Sequence, residues 1–108
     1  MRRFAEVAGS LKNLRNPVKE FGKEFRSPGH VPICKAAKGS LRERKGHTEL
    51  STALLEMANL IPVAGGCEMM GDNGKALEKN KALEYAEKHN LVFLTGEEIE
   101  EAWQSWLR

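Results

Sequence analysis

Apolar positions along the chain switch between a helical stripe and short continuous runs, and that alternation sets the predicted elements. Phe4, Val7, Ala8 and Leu11 stand at i, i+3, i+4 and i+7, the stripe of an amphipathic helix. Pro17 and Gly22 are expected to break that helix. Residues 27–32 place a histidine between Pro28 and Pro32 and predict a tight turn followed by an edge segment. A short run from Ile33 to Ala37 follows, and Gly39 marks a loop. Leu50, Ala53, Leu54, Met57 and Ala58 give the clearest helix, with Thr48 as its expected N-cap and Pro62 as its stop.

Residues 63–70 are apolar or small apart from Glu68, and they predict a buried strand ended by the turn Gly71-Asp72-Asn73-Gly74. A third helix is expected over Asn80 to His89 with Leu83 and Ala86 facing inward, and Leu91 to Leu94 predicts a second short strand. Thr95-Gly96-Glu97-Glu98 has the spacing of a capping box. It opens a last helix whose stripe is Ile99, Ala102, Trp103, Trp106 and Leu107. Helices alternating with short apolar strands predict an α/β fold (α+β), a mixed sheet with helices packed on it in layers. No repeat or low-complexity linker interrupts the chain, so residues 1–108 are expected to form a single domain.

Composition narrows the function classes. No apolar run reaches the roughly 18 residues of a membrane span, and the charged start Met1-Arg2-Arg3 does not resemble a secretory signal. Cys34 and Cys67 form no Cys-x-x-Cys pair, which argues against a disulfide framework or zinc knuckle and for a reducing cytoplasm. Charge is lopsided: residues 1–45 carry twelve Lys/Arg against four Asp/Glu, and residues 46–108 carry five against eleven. A basic nucleic-acid arm is one reading of that asymmetry. The basic residues are, however, interleaved with Glu6, Glu20, Glu24 and Glu43, and only Phe4, Phe21 and Phe25 could stack on bases. A basic face that attracts a small phosphorylated anion accounts for the charge equally well.

Three spots carry candidate chemistry. In Arg44-Lys45-Gly46-His47-Thr48-Glu49 a glycine and a hydroxyl stand at a helix start behind two cations. Free first-turn N–H groups and the helix dipole favour an anion there, and Arg44 can grip two oxygens. His47 could hold a metal or move a proton, and an ordinary capped helix is the alternative. Glu68 lies among apolar neighbours, so it needs a partner or faces a cleft, where desolvation suits a general acid or base. His30, on a turn stiffened by two prolines, suits proton transfer, and a surface histidine is the competing reading. His89 reads as a helix C-terminal cap, and Trp103 and Trp106 as core or interface residues.

These residues make the chain resemble the 3,4-dihydroxy-2-butanone 4-phosphate synthases of riboflavin biosynthesis, the archaeal type above all. The match runs through Phe25-Arg26-Ser27-Pro28-Gly29-His30-Val31, Arg44-Lys45-Gly46-His47-Thr48-Glu49-Leu50-Ser51, Cys67-Glu68-Met69-Met70-Gly71-Asp72-Asn73-Gly74 and Tyr85-Ala86-Glu87-Lys88-His89-Asn90-Leu91. The resemblance implies a lyase that converts ribulose 5-phosphate to 3,4-dihydroxy-2-butanone 4-phosphate and formate with magnesium or manganese. It implies that Arg44, Lys45, Gly46, His47 and Thr48 bind the substrate phosphate and that His47 is also a metal ligand. It assigns His30 and Glu68 to proton transfer, and it implies a homodimer.

The resemblance covers only the C-terminal half of the family. Nothing in the chain matches the family's acidic Arg-Glu-x-Glu-x-Asp loop; the nearest spacing, Glu98-Ile99-Glu100, lies in the last predicted helix. His47 alone cannot hold a magnesium ion, which requires several oxygen ligands. The chain is therefore expected to need a complementary N-terminal half, and to adopt a partial version of the family fold with unpaired strand edges. The alternatives are an inert homologue that binds a sugar phosphate or a partner protein, and a nucleic-acid-binding module.

Overall fold

The computed structural model describes residues 16–108. The helix expected from Phe4 to Leu11 lies outside the described residues. Pro17 opens a helix: α1 spans Pro17–Glu24, with proline at its first position and the Asn16 side chain accepting from the Lys19 N–H at 3.4 Å. Proline is suited to that position, where its missing N–H would have had no helical partner. Gly22 stays within the helix, which a Glu20–Lys23 ion pair at 2.7 Å supports on the outside.

A single turn of 3-10 helix at Ser40–Arg42 precedes α2, His47–Met57. Its N-cap is Gly46 and not Thr48, and it ends well before Pro62. The stop is Asn59, whose φ of 55° puts it in the left-handed region. The Leu60 N–H then donates to Leu55 O and the Asn59 N–H to Glu56 O, the paired bonds of a Schellman motif. Helix α3, Lys79–Lys88, closes the same way: Asn90 has φ 52°, and Leu91 and Asn90 donate back to Ala86 and Glu87. His89 is the C-cap of α3, its ring 4.3 Å from that of Tyr85. Helix α4, Gly96–Trp106, opens on the expected capping box, with Thr95 and Glu98 satisfying each other's backbone donors.

The expected mixed sheet is absent among the described residues. The only strand contact there is an isolated antiparallel bridge between Met70 and Ala76, which flanks the turn at residues 71–74. Residues 63–69 and 91–95 have no regular secondary structure and join no ladder. The reason is that an apolar run specifies burial but not a partner, and a strand exists only when a neighbouring edge supplies hydrogen bonds. No described segment offers that edge. Consequently Ile61, Met69, Met70, Leu91, Val92 and Leu94 are exposed, as are Val31 and Ile33 earlier in the chain.

The core is small and helical. Leu41 from the 3-10 turn, Ala53 from α2, and Ile99 and Trp103 from α4 are buried together, with Leu50, Leu54 and Met57 packed around them. The α4 stripe is thus only half used: Ile99 and Trp103 turn inward, while Trp106 and Leu107 remain exposed. In α3, Ala86 is buried but Leu83 is not. The Arg42 guanidinium lies 5.7 Å above the Trp103 ring and covers the outer side of this core.

Because one indole is core and the other is not, the two tryptophans should respond differently to truncation. Trp103→Ala is expected to cost about 3–5 kcal/mol and Trp106→Ala less than about 1 kcal/mol, read from urea unfolding midpoints.

Candidate active site

The segment between the 3-10 turn and α2 is held by three carboxylates, each on basic or amide donors. Glu43 Oε2 accepts from the Gly39 N–H at 3.0 Å and closes the turn. Lys45 pairs with Glu100 of α4, which fastens the segment to the core helix. Glu49 is the third, and it lies at the centre. Its side chain is fully buried, with Oε1 accepting from the Ala37 N–H at 3.0 Å and lying 3.5 Å from Arg44 Nη1.

A buried carboxylate is tolerated only where donors answer it. The hydrogen bond from Ala37 is the main influence that holds the Glu49 carboxyl below its ordinary value; burial opposes it, and Arg44 adds attraction. The amide of Glu49 itself favours the charged form somewhat more than Arg44 does, and that of Gly46 less. Oε2 nevertheless completes no hydrogen bond of good geometry. Gly46 is needed because space here is short. A Cβ at that position would stand 2.8 Å from Glu49 Oε2 and 3.2 Å from Arg44 Cζ.

Arg44, Lys45, Gly46, His47 and Thr48 are therefore gathered on one short stretch at the start of α2, as expected, but not as five free groups. Lys45 is engaged by Glu100 and Arg44 partly by Glu49. His47 occupies the first helical position with its side chain exposed. The Thr48 carbonyl accepts from the Thr52 hydroxyl at 3.1 Å. Amide N–H groups at the start of an 11-residue helix, with an arginine beside them, are the kind of donors that can hold an oxyanion.

His30 and Glu68 are not joined to this cluster by any hydrogen bond or ion pair among the described residues. His30 is exposed in the bend that follows the cis Ser27–Pro28 peptide. Glu68 is also exposed, on irregular backbone and not in a buried strand, so the burial that was expected to tune it is missing. Among the described residues no three His, Cys, Asp or Glu side chains converge as metal ligands. The donor set around His47 therefore does not by itself fit a divalent cation, which requires several hard oxygen ligands. No helix of the described residues is long and apolar enough to cross a membrane.

Glu49 is the residue that reading for chemistry missed. Its signal was present: an acidic residue three positions after the glycine N-cap has the spacing of a carboxylate that reaches back over the first turn.

The family model for 3,4-dihydroxy-2-butanone 4-phosphate synthase matches residues 5–102. The chain belongs to that family. A synthase of this name from Methanosarcina mazei is 55% identical over 80% of the chain and 35% of its own length. One from Archaeoglobus fulgidus is 44% identical over 98% of the chain and 44% of its own length. The riboflavin biosynthesis protein RibBA of Aquifex aeolicus is 43% identical over 67% of the chain and 18% of its own length. The chain thus spans less than half the length of these curated relatives. In this family member the Arg44–Glu49 stretch is held by the ion pair of exposed Arg44 with buried Glu49 and by Lys45 pairing with Glu100 of α4.

The pH dependence of stability follows from Glu49. Its folded pKa is depressed, so its contribution is fully present above the ordinary value of 4.5 and declines as pH falls below it. Glu49→Gln should remove that part of the acid sensitivity, seen as a flatter loss of the urea midpoint between neutral pH and the acid range. Gly46→Ala should lower the midpoint at neutral pH, since the new methyl must displace the buried carboxylate.

Proposed function

We propose that the chain is the C-terminal part of a catalytic domain that converts ribulose 5-phosphate to 3,4-dihydroxy-2-butanone 4-phosphate and formate. The observation that supports this reading most is the Arg44–Thr48 stretch at the start of α2, fastened for an anion, in a member of this family. The substrate phosphate rests on the first-turn amides, with Arg44 at its edge and Gly46 allowing close approach. His30 and Glu68 supply proton transfer: one takes the proton beside the carbonyl and the other assists loss of a hydroxyl.

Both of those residues neighbour exposed apolar side chains, Val31 and Ile33 beside His30, and Met69 and Met70 beside Glu68. Burying these neighbours against a complementary N-terminal half, or within a homodimer, would fix His30 and Glu68 in place and desolvate them. The metal of this reading is magnesium or manganese. His47 would be one ligand, and the carboxylates that a hard cation needs would come from the complementary half. The enzyme works in the cytoplasm, where the exposed Cys34 and Cys67 thiols stay reduced.

The test is reconstitution. Mixed with the N-terminal half of the Archaeoglobus fulgidus synthase, ribulose 5-phosphate and magnesium, the chain should release formate. His30→Ala and Glu68→Ala should each reduce the turnover rate by about 100-fold or more, the usual weight of a proton-transfer group. Arg44→Ala should act mainly on KM. An associated complex that binds phosphate but releases no formate would leave a sugar-phosphate-binding homologue.

A further inference from the structure

Glu49 is buried, ionised and one hydrogen bond short, yet it has no place among the groups that the proposed chemistry uses. Its surroundings say what it does. Three separated parts of the chain converge on one carboxylate: the Ala37 amide from the segment before the 3-10 turn, the Arg44 guanidinium from the loop, and Gly46 at the head of α2. Two of the three belong to the stretch read above as the phosphate cradle.

The geometry at Arg44 is directional. Nη1 faces Glu49 at 3.5 Å, while the side chain as a whole remains largely exposed. Nη2 lies on the Gly46 side, 3.3 Å from where a Cβ at residue 46 would stand. One edge of the guanidinium is thus turned toward the buried carboxylate and laid against a position without a side chain. The rest of the fork is left to solvent. An unrestrained arginine spreads over many rotamers, and holding it in one lowers the ordering cost of gripping an oxyanion.

From this we infer that Glu49 is a positioning residue, which clamps Arg44 against Gly46 so that its outer edge is presented to a phosphate at the start of α2. This rests on the phosphate reading above and adds to it the residue that makes Arg44 competent. Glu49 itself does not touch the anion; its charge opposes it. Positioning and charge therefore make opposite predictions. If Glu49 matters only as a nearby negative charge, neutralising it tightens phosphate binding. If it orients Arg44, neutralising it weakens binding.

The experiment is a titration of the full chain with inorganic phosphate, followed by amide and arginine Nε–H NMR signals. In the unmodified chain the Arg44 Nε–H signal should be sharp before phosphate is added. In Glu49→Gln it should broaden, and the phosphate Kd should rise roughly tenfold, the weight of about one charge-assisted hydrogen bond. Arg44→Lys should weaken binding similarly, and the double variant should be no worse than either alone. Glu49→Asp, which keeps the charge but shortens the reach, should behave like Glu49→Gln, and it carries the test should the glutamine variant fail to fold. An unchanged or lower Kd in Glu49→Gln, with Arg44 still ordered, overturns the positioning role and leaves the phosphate site standing. Absence of phosphate binding in the unmodified chain, with Arg44 ordered and released by Glu49→Gln, instead overturns the phosphate reading and leaves the clamp standing.

Discussion

One buried negative charge organises the described structure. Glu49 enters the interior at the start of α2, and everything near it is arranged to answer it: an amide from residue 37, a guanidinium from residue 44, and a glycine that leaves room. A carboxylate in that position without donors would be strongly unfavourable, so the chain from Ala37 to Gly46 has little freedom once α2 has formed. Through Lys45 and Glu100 the same loop is fastened to α4, and through Leu41 it contributes to the apolar core.

Two kinds of organisation therefore meet in a short length of chain. Behind the loop is a compact apolar contact of α2, α4 and the 3-10 turn; in front of it is a set of cations partly answered by their own carboxylates. Lys23, Arg44 and Lys45 are each paired internally, and Arg42 is laid over Trp103. The basic excess of residues 1–45 is thus partly spent on holding the fold together, which leaves a weaker field than the bare sequence suggests.

Helices α2, α3 and α4 were legible in the sequence because each carries its own instructions, whereas α1 contains the Pro17 and Gly22 that read as breaks. The stripe of α2, the capping box at Thr95 and the alternation in α3 are local signals, satisfied by residues three or four positions away. Helix ends were less evenly legible: α2 stops at Asn59, well before the more conspicuous Pro62, while His89 is the expected cap of α3. The strands were not legible at all: Leu91 to Leu94 state that they must be buried, but hydrogen bonds to another edge are a non-local property. For the candidate site, residues 44–48 could be found because anion-binding chemistry has a compact pattern at a helix start. Glu49 was hidden in plain view, as its role lies in the shape it imposes and not in a reactive group. His30 and Glu68 stood out for their neighbours' character, yet their own surroundings depend on segments that the described chain leaves exposed.

The fastening of Lys45 to Glu100 has an effect on any ligand held at the head of α2. That loop is tied to α4, and α4 carries Ile99 and Trp103, half of the buried apolar cluster. Binding at the loop and unfolding of the core are thereby linked equilibria: an anion bound only by the folded loop raises the stability of the whole unit by RT ln(1 + [L]/Kd). With few buried side chains among the described residues, the core gains a large share of its stability from any anion that binds only the folded loop.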